Sequence, residues 1–198
     1  MPECSQSSSL PPHWQPAALA GLWLDGPFRT LICSRDSLTM RLAHLAGAPI
    51  TVSLHAQGPG RARFDELKRL GLPAGQRIWR REVTLEAGGD VLVAARSVMA
   101  LRGCPPWVAG LGTRALGHQL FARGARAPQK SIVQRSPIEM AWSAPGFLAL
   151  PTSWGRRSLF TLGPDRAPLL VQEYFVHERF SRYQPASRMD GSTQCHFG

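Results

Sequence analysis

The chain has 198 residues, 43% of them hydrophobic and 18% charged, enough for one domain with a real core and too few for two ordinary ones. Its formal net charge is +10, but only Lys68 and Lys130 are lysines, which leaves 21 arginines among the 23 basic residues, scattered along the chain. No basic run with interleaved aromatics marks a nucleic-acid surface, so nucleic acid is not an expected partner, whereas a small anionic ligand gains from the positive potential.

Residues 1–14 (MPECSQSSSLPPHW) are rich in Ser and Pro and are expected to be disordered. A helix is expected in QPAALAGLWL, and another in SRDSLTMRLAHLAG, with Ser34 or Asp36 as N-cap and Gly47 as stop. A strand follows at 49–56, then a helix in FDELKRLG closed by Gly71. Strands at 77–86 and 91–101 are joined by Gly88-Gly89, a two-residue hairpin signal. After a helix at 113–121 come strands at 131–142, 155–162 and 169–176, and a polar tail over 181–198 with no core pattern. The folded unit is therefore expected over 15–180. Without regular βαβ alternation, six strands and about four helices predict a single α+β domain around a largely antiparallel sheet.

Cys4, Cys33, Cys104 and Cys195 form no CxxC, and none has a histidine at metal spacing apart from His196 in the polar tail. Free thiols in a reducing cytoplasm are expected. The apolar stretch Ala17 to Leu24 is too short to span a bilayer, so no membrane insertion is expected, and the protein is expected to be a cytoplasmic monomer.

The stretch IWRREVTL (78–85) carries the chemical question. Strand side chains alternate between faces, so Arg81 shares its side with Trp79, Val83 and Leu85. In LLVQEYFV, Glu173 shares a face with Leu169, Val171 and Phe175. A tight two-residue turn at Gly88-Gly89 sets Arg81 opposite Arg96, and like charges face to face are unfavourable unless something anionic joins them. Two arginines and one carboxylate make a net positive, partly apolar pocket suited to a small ring bearing carboxylates. A purely structural ion network competes with that reading. Arg156 and Arg157 fall on opposite strand faces, so at most one points inward. GLGTRA (110–115) matches a dinucleotide pattern but lacks the leading strand and the following acidic residue. G-x-S-x-G, P-loop and HExxH motifs do not occur.

From about Asp25 to Phe180 the chain resembles the chorismate pyruvate-lyase family. The resemblance is carried by DSLTMRL (36–42), WRRE (79–82), AARSVMAL (94–101), LGTRALGHQLF (111–121), WGRRSLF (154–160) and PLLVQEYF (168–175), in matching order and spacing. It implies a six-stranded antiparallel sheet with helices on one face and helical flaps over an internal site. It also implies conversion of chorismate to 4-hydroxybenzoate and pyruvate, at the head of ubiquinone synthesis, without cofactor or metal. The family's substrate-binding arginine falls on Arg81 and its ring-hydroxyl carboxylate on Glu173, while its two other contact positions fall on Leu38, commonly methionine, and Leu116, acting through backbone amides. Arg96 is a further candidate, for the second carboxylate. The alternative is a ligand-binding effector domain of a transcription regulator, a relative of this fold. Such regulators carry an N-terminal winged helix, for which the fewer than about 35 residues ahead of the matched region are too short.

Overall fold

β3 (Arg77–Ala87) and β4 (Asp90–Ala100) form a hairpin through Gly88 and Gly89, whose φ values of 57° and 85° glycine adopts without strain. The computed structural model describes residues 13–20, 24, 26–121, 134–142, 147–148 and 154–183, so of the expected disordered ends, 1–14 and 181–198, residues 1–12 and 184–198 lie outside the described residues. Positions 21–23 of the first predicted helix and 131–133 of the fourth predicted strand also lie outside them.

Around the hairpin the sheet adds β2 (Thr51–Arg61) beyond β3, and β8 (Ala167–Phe175), β7 (Trp154–Leu162), β6 (Glu139–Trp142) and β1 (Gln15–Pro16) beyond β4. β5 (Gln134–Arg135) also pairs with β7, and every pairing is antiparallel. The sheet thus has eight strands where six were expected. The predicted strand at 131–142 is broken at Ser136-Pro137, because proline cannot donate to the ladder. The other extra strand, β1, forms where a helix was expected to begin.

The helices are α1 (Ala17–Ala20), α2 (Gly26–Cys33), α3 (Leu38–Ala46), α4 (Phe64–Leu70), α5 (Pro106–Ala109), α6 (Leu116–Leu120) and α7 (His177–Phe180). α3 and α4 stop where expected, at Gly47 (φ 61°) and Gly71 (φ 67°), which take the left-handed cap. α4 starts because the Glu66 carboxylate accepts the Arg63 amide at 2.8 Å. Helices cover both faces rather than one. Leu70 of α4 packs with Ile78, Val98 and Leu170 on the side opposite α2, α3, α5 and α6.

Both ends are tied down slightly beyond the expected boundaries. The Trp14 indole donates to Asp65 at 3.2 Å, and Ser181–Tyr183 form a 3-10 turn whose Arg182 pairs with Asp90.

One feature of the hairpin decides which side chains meet. The ladder slips between Leu85 and Glu86, so Leu92 is an extra residue and Leu85 pairs with Val93, Arg81 with Ser97, and Glu82 with Arg96. A one-residue bulge exchanges the faces of everything beyond it. Arg81 and Arg96 therefore do not oppose one another and lie on opposite faces of the sheet.

Candidate active site

Across β3, β4, β8 and β7 the inner face is a grid of four rows. The outer rows are apolar: Trp79, Met99, Leu169 and Phe160 at one end, Leu85, Val93, Phe175 and Trp154 at the other. The two middle rows read Arg81, Ser97, Val171, Ser158 and Val83, Ala95, Glu173, Arg156. Each outer row belongs to its own apolar cluster, one completed by α2 and α3, the other by α5 and α6. Charge is thus confined to the seam between two cores, where a cleft of about 580 Å³, counted to its mouth, opens.

Arg81 is 2% exposed. Its Nε and Nη2 donate to the Gly112 carbonyl at 3.1 and 2.9 Å, and Nη2 also donates to the Arg114 carbonyl at 2.8 Å. These acceptors belong to the 110–115 stretch, whose glycines serve as a strap rather than a nucleotide loop. Gln57, the β2 neighbour of Arg81, holds the same strap: its amide donates to the Ala109 carbonyl at 2.7 Å and accepts the Gly112 amide at 3.0 Å. Carbonyls satisfy hydrogen bonds but supply no counter-charge. Among the described residues no carboxylate pairs with Arg81 and none of them engages its Nη1. Burial accordingly pushes its pKa down to about 10.

Glu173 lies one row away, and its Oε2 accepts Arg156 Nε at 2.5 Å. Of the Arg156-Arg157 pair, Arg156 is the inward one. It is 1% exposed and spends Nη1 on the carbonyls of Leu31, Ile32 and Ser34 at 3.2, 3.0 and 3.0 Å. Arg135, which sequence reasoning missed, reaches the cleft from β5. Its Nε donates to Ser158 Oγ at 3.0 Å and its guanidinium stands 5.3 Å over the Phe160 ring. It has no carboxylate within ion-pair distance among the described residues, and burial, partly offset by the more distant Glu173, lowers its pKa to about 10. The break at Ser136-Pro137 was the available signal that this segment bends away from β6 and delivers Arg135 elsewhere.

Leu38 and Leu116 also line the cleft, and both are first residues of helices, α3 and α6, where the amide N–H has no intrahelical acceptor. The two helices meet closely there: a Cβ at Gly117 would stand 2.8 Å from Ser37 Oγ. Of the five residues expected in the site, Arg81, Glu173, Leu38 and Leu116 come together and Arg96 does not.

Arg96 sits on the reverse face, 4% exposed, within an ion network. Its Nε and Nη2 bind the two oxygens of Glu66 at 2.6 and 3.0 Å, and its Nη1 binds Glu82. Burial alone would lower its pKa, but the hydrogen bonds and charge of Glu66 and Glu82 prevail and raise it. Among the described residues no group of three or more His, Cys, Asp or Glu side chains converges as metal ligands.

A family model described as chorismate lyase matches residues 24–184, a span that contains the whole cleft. The chain belongs to the chorismate lyase family. A probable chorismate pyruvate-lyase of Chromohalobacter salexigens is 41% identical over 172 residues, covering 83% of this chain and 88% of that protein. Another, from Pseudomonas fluorescens, is 36% identical over 177 residues, covering 83% and 92% respectively. Among solved structures, the effector domain of PhnF from Mycobacterium smegmatis is similar over 74% of this chain and 91% of that one, with a TM-score of 0.48 and 15% identity. That likeness says nothing about ligand or activity. No helix among the described residues of this chorismate lyase family member is long and apolar enough to cross a membrane.

Proposed function

We propose that this protein removes pyruvate from chorismate and releases 4-hydroxybenzoate, a cytoplasmic reaction supplying ubiquinone synthesis. The observation that carries the reading is the pair Arg81, buried, and Arg135, half-buried, neither with an ion-pair partner among the described residues, on either side of Glu173. A dianion supplies the missing charge on both sides, and chorismate is one. Family membership and the names of the relatives support the same substrate.

In this reading the ring carboxylate binds Arg81 through the open Nη1 and the amides of Leu38 and Leu116 complete the cradle around the ring. Two strand spacings, about 10 Å, separate the backbones of β3 and β8, and side chains from both strands shorten that gap to the length of one para-substituted ring. The ring hydroxyl then meets Glu173, whose Oε1 accepts no hydrogen bond from the described residues.

Catalysis consists of holding the reactive conformer, stabilising departing charge and excluding water. The ether bond between ring and enolpyruvyl group breaks, and the hydrogen on the neighbouring, hydroxyl-bearing ring carbon is lost. The freed electrons complete the aromatic ring, and the hydrogen ends on the methylene carbon, which becomes the methyl group of pyruvate. Aromatisation supplies the driving force.

Purified protein mixed with chorismate and a chelator is expected to yield 4-hydroxybenzoate and pyruvate in equal amounts over many turnovers. Chorismate that binds and stays intact would refute the reading.

A further inference from the structure

Chorismate carries two carboxylates and 4-hydroxybenzoate one, so the cleft needs a group that answers to the substrate alone. Arg81 cannot be that group, because the ring carboxylate survives the reaction. Arg156 is committed to Glu173 and to three backbone carbonyls. Arg41 does not line the cleft and is engaged with Asp36, an exposed residue of the lining, at 2.5 Å. Arg135 remains. Its Nε is fixed on Ser158 Oγ at 3.0 Å, and Ser158 ends the same row that Arg81 begins, so the two guanidiniums mark opposite ends of the cleft floor. Glu173 lies between them, one row over. A ring anchored at Arg81 with its hydroxyl at Glu173 directs the substituent next to that hydroxyl toward β7, where Arg135 stands over Phe160.

Resting on the lyase reading, we propose that Arg135 binds the enolpyruvyl carboxylate, which makes it the residue that separates substrate from aromatic product. Its role ends when pyruvate leaves. The ether oxygen that takes up the bonding electrons departs beside this guanidinium, so the same contact serves binding and charge stabilisation. Among the described residues Nη1 of Arg135 touches only the Ser34 carbonyl, at 3.4 Å, and none engages Nη2, so none of them occupies the fork that would grip a carboxylate.

The test compares two affinities in one set of proteins: kcat/KM for chorismate, and Kd for 4-hydroxybenzoate by titration calorimetry. Truncating one partner of a buried charge pair costs about thirtyfold or more. Arg135→Ala is expected to lose at least that in kcat/KM while its Kd for 4-hydroxybenzoate stays within about threefold, and retained product binding shows in the same tube that the variant is folded. Arg81→Ala, in contrast, is expected to lose both. If Arg135→Ala does not fold, Arg135→Lys keeps the charge without the fork and is expected to lose turnover while binding product normally. Parallel loss of both quantities, or loss of neither, overturns the assignment and leaves the lyase reading standing. Wild-type protein that leaves chorismate intact overturns the lyase reading, and the assignment with it.

Discussion

Arg96→Ala separates the two faces of the sheet. Arg96 gives Glu66 two hydrogen bonds and Glu82 one. After truncation Glu82 keeps Arg80 at 2.6 Å, but Glu66, with no exposed surface, loses its bidentate guanidinium and is left with the Gln172 side-chain amide at 2.6 Å and the Arg63 backbone amide at 2.8 Å. A buried charge stripped of its partner costs about 3–5 kcal/mol, which in a domain of this size lowers Tm by roughly 6–20 °C. The sign of the pH dependence follows from Glu66. In the wild type burial would raise its pKa, but Arg96 outweighs burial and lowers it, so its stabilising contribution is present above the unfolded value, about 4.3, and is lost as pH falls through the depressed folded pKa. Without Arg96 burial prevails and the folded pKa rises above the unfolded one. The Tm deficit of the variant is therefore largest near neutral pH and shrinks as pH falls through that raised pKa. Thermal melts by circular dichroism between pH 5 and 8, with kcat/KM measured well below Tm, check this. Near-normal turnover in a protein that melts early is expected. A variant with wild-type Tm and abolished turnover would refute the register and put Arg96 back in the cleft.

Arg81→Met should do the reverse: product binding falls by at least about thirtyfold, while Tm holds or rises, because an arginine with no counter-ion gives way to an apolar side chain of similar length. Benzoate, whose only ionisable group is its carboxyl, reports the charge on Arg81 directly. Its affinity should hold through neutral pH and fall as pH rises through about 10, where Arg81 loses its proton, and a fall absent up to pH 11 would contradict the burial argument. Gln57→Ala removes two hydrogen bonds from the strap over the site. At roughly 1 kcal/mol each, their loss should speed 4-hydroxybenzoate dissociation up to about thirtyfold in stopped flow.

Period-two alternation was enough to place Arg81 and Glu173 on one face, because each sits in a run of β-formers with apolar neighbours at even spacing. Gly47 and Gly71 announced the ends of α3 and α4 for the same kind of local reason. What the local pattern does not carry is the count of residues between two paired strands. A two-residue turn and a bulge at Leu92 are both compatible with Gly88-Gly89, yet they send Arg96 to opposite faces. The acids that neutralise Arg96 come partly from α4, thirty positions away, so no strand-face argument finds them. Arg135 was hidden because its two-residue strand is defined by pairing with Thr161 and Phe160 and not by any periodicity of its own.

The sheet uses buried arginines in two physically different ways. On the reverse face Arg96 and Arg157 are matched by carboxylates: Glu66 and Glu82 for the first, Glu139 at 2.7 Å and Asp65 at 3.2 Å for the second. On the inner face Arg156 has Glu173, but among the described residues Arg81 and Arg135 have carbonyls, a hydroxyl and an aromatic ring and no carboxylate. Folding alone gives little reason to bury Arg81 and half-bury Arg135 without an anion among the described residues, since the same sheet satisfies the others with acids from its own sequence. On the lyase reading proposed above, the substrate supplies the missing negative charge. Burial of an arginine therefore says little about function until its counter-ions are sought, and the lack of any among the described residues at Arg81 and Arg135 is the ground for proposing chemistry at the seam between the two cores.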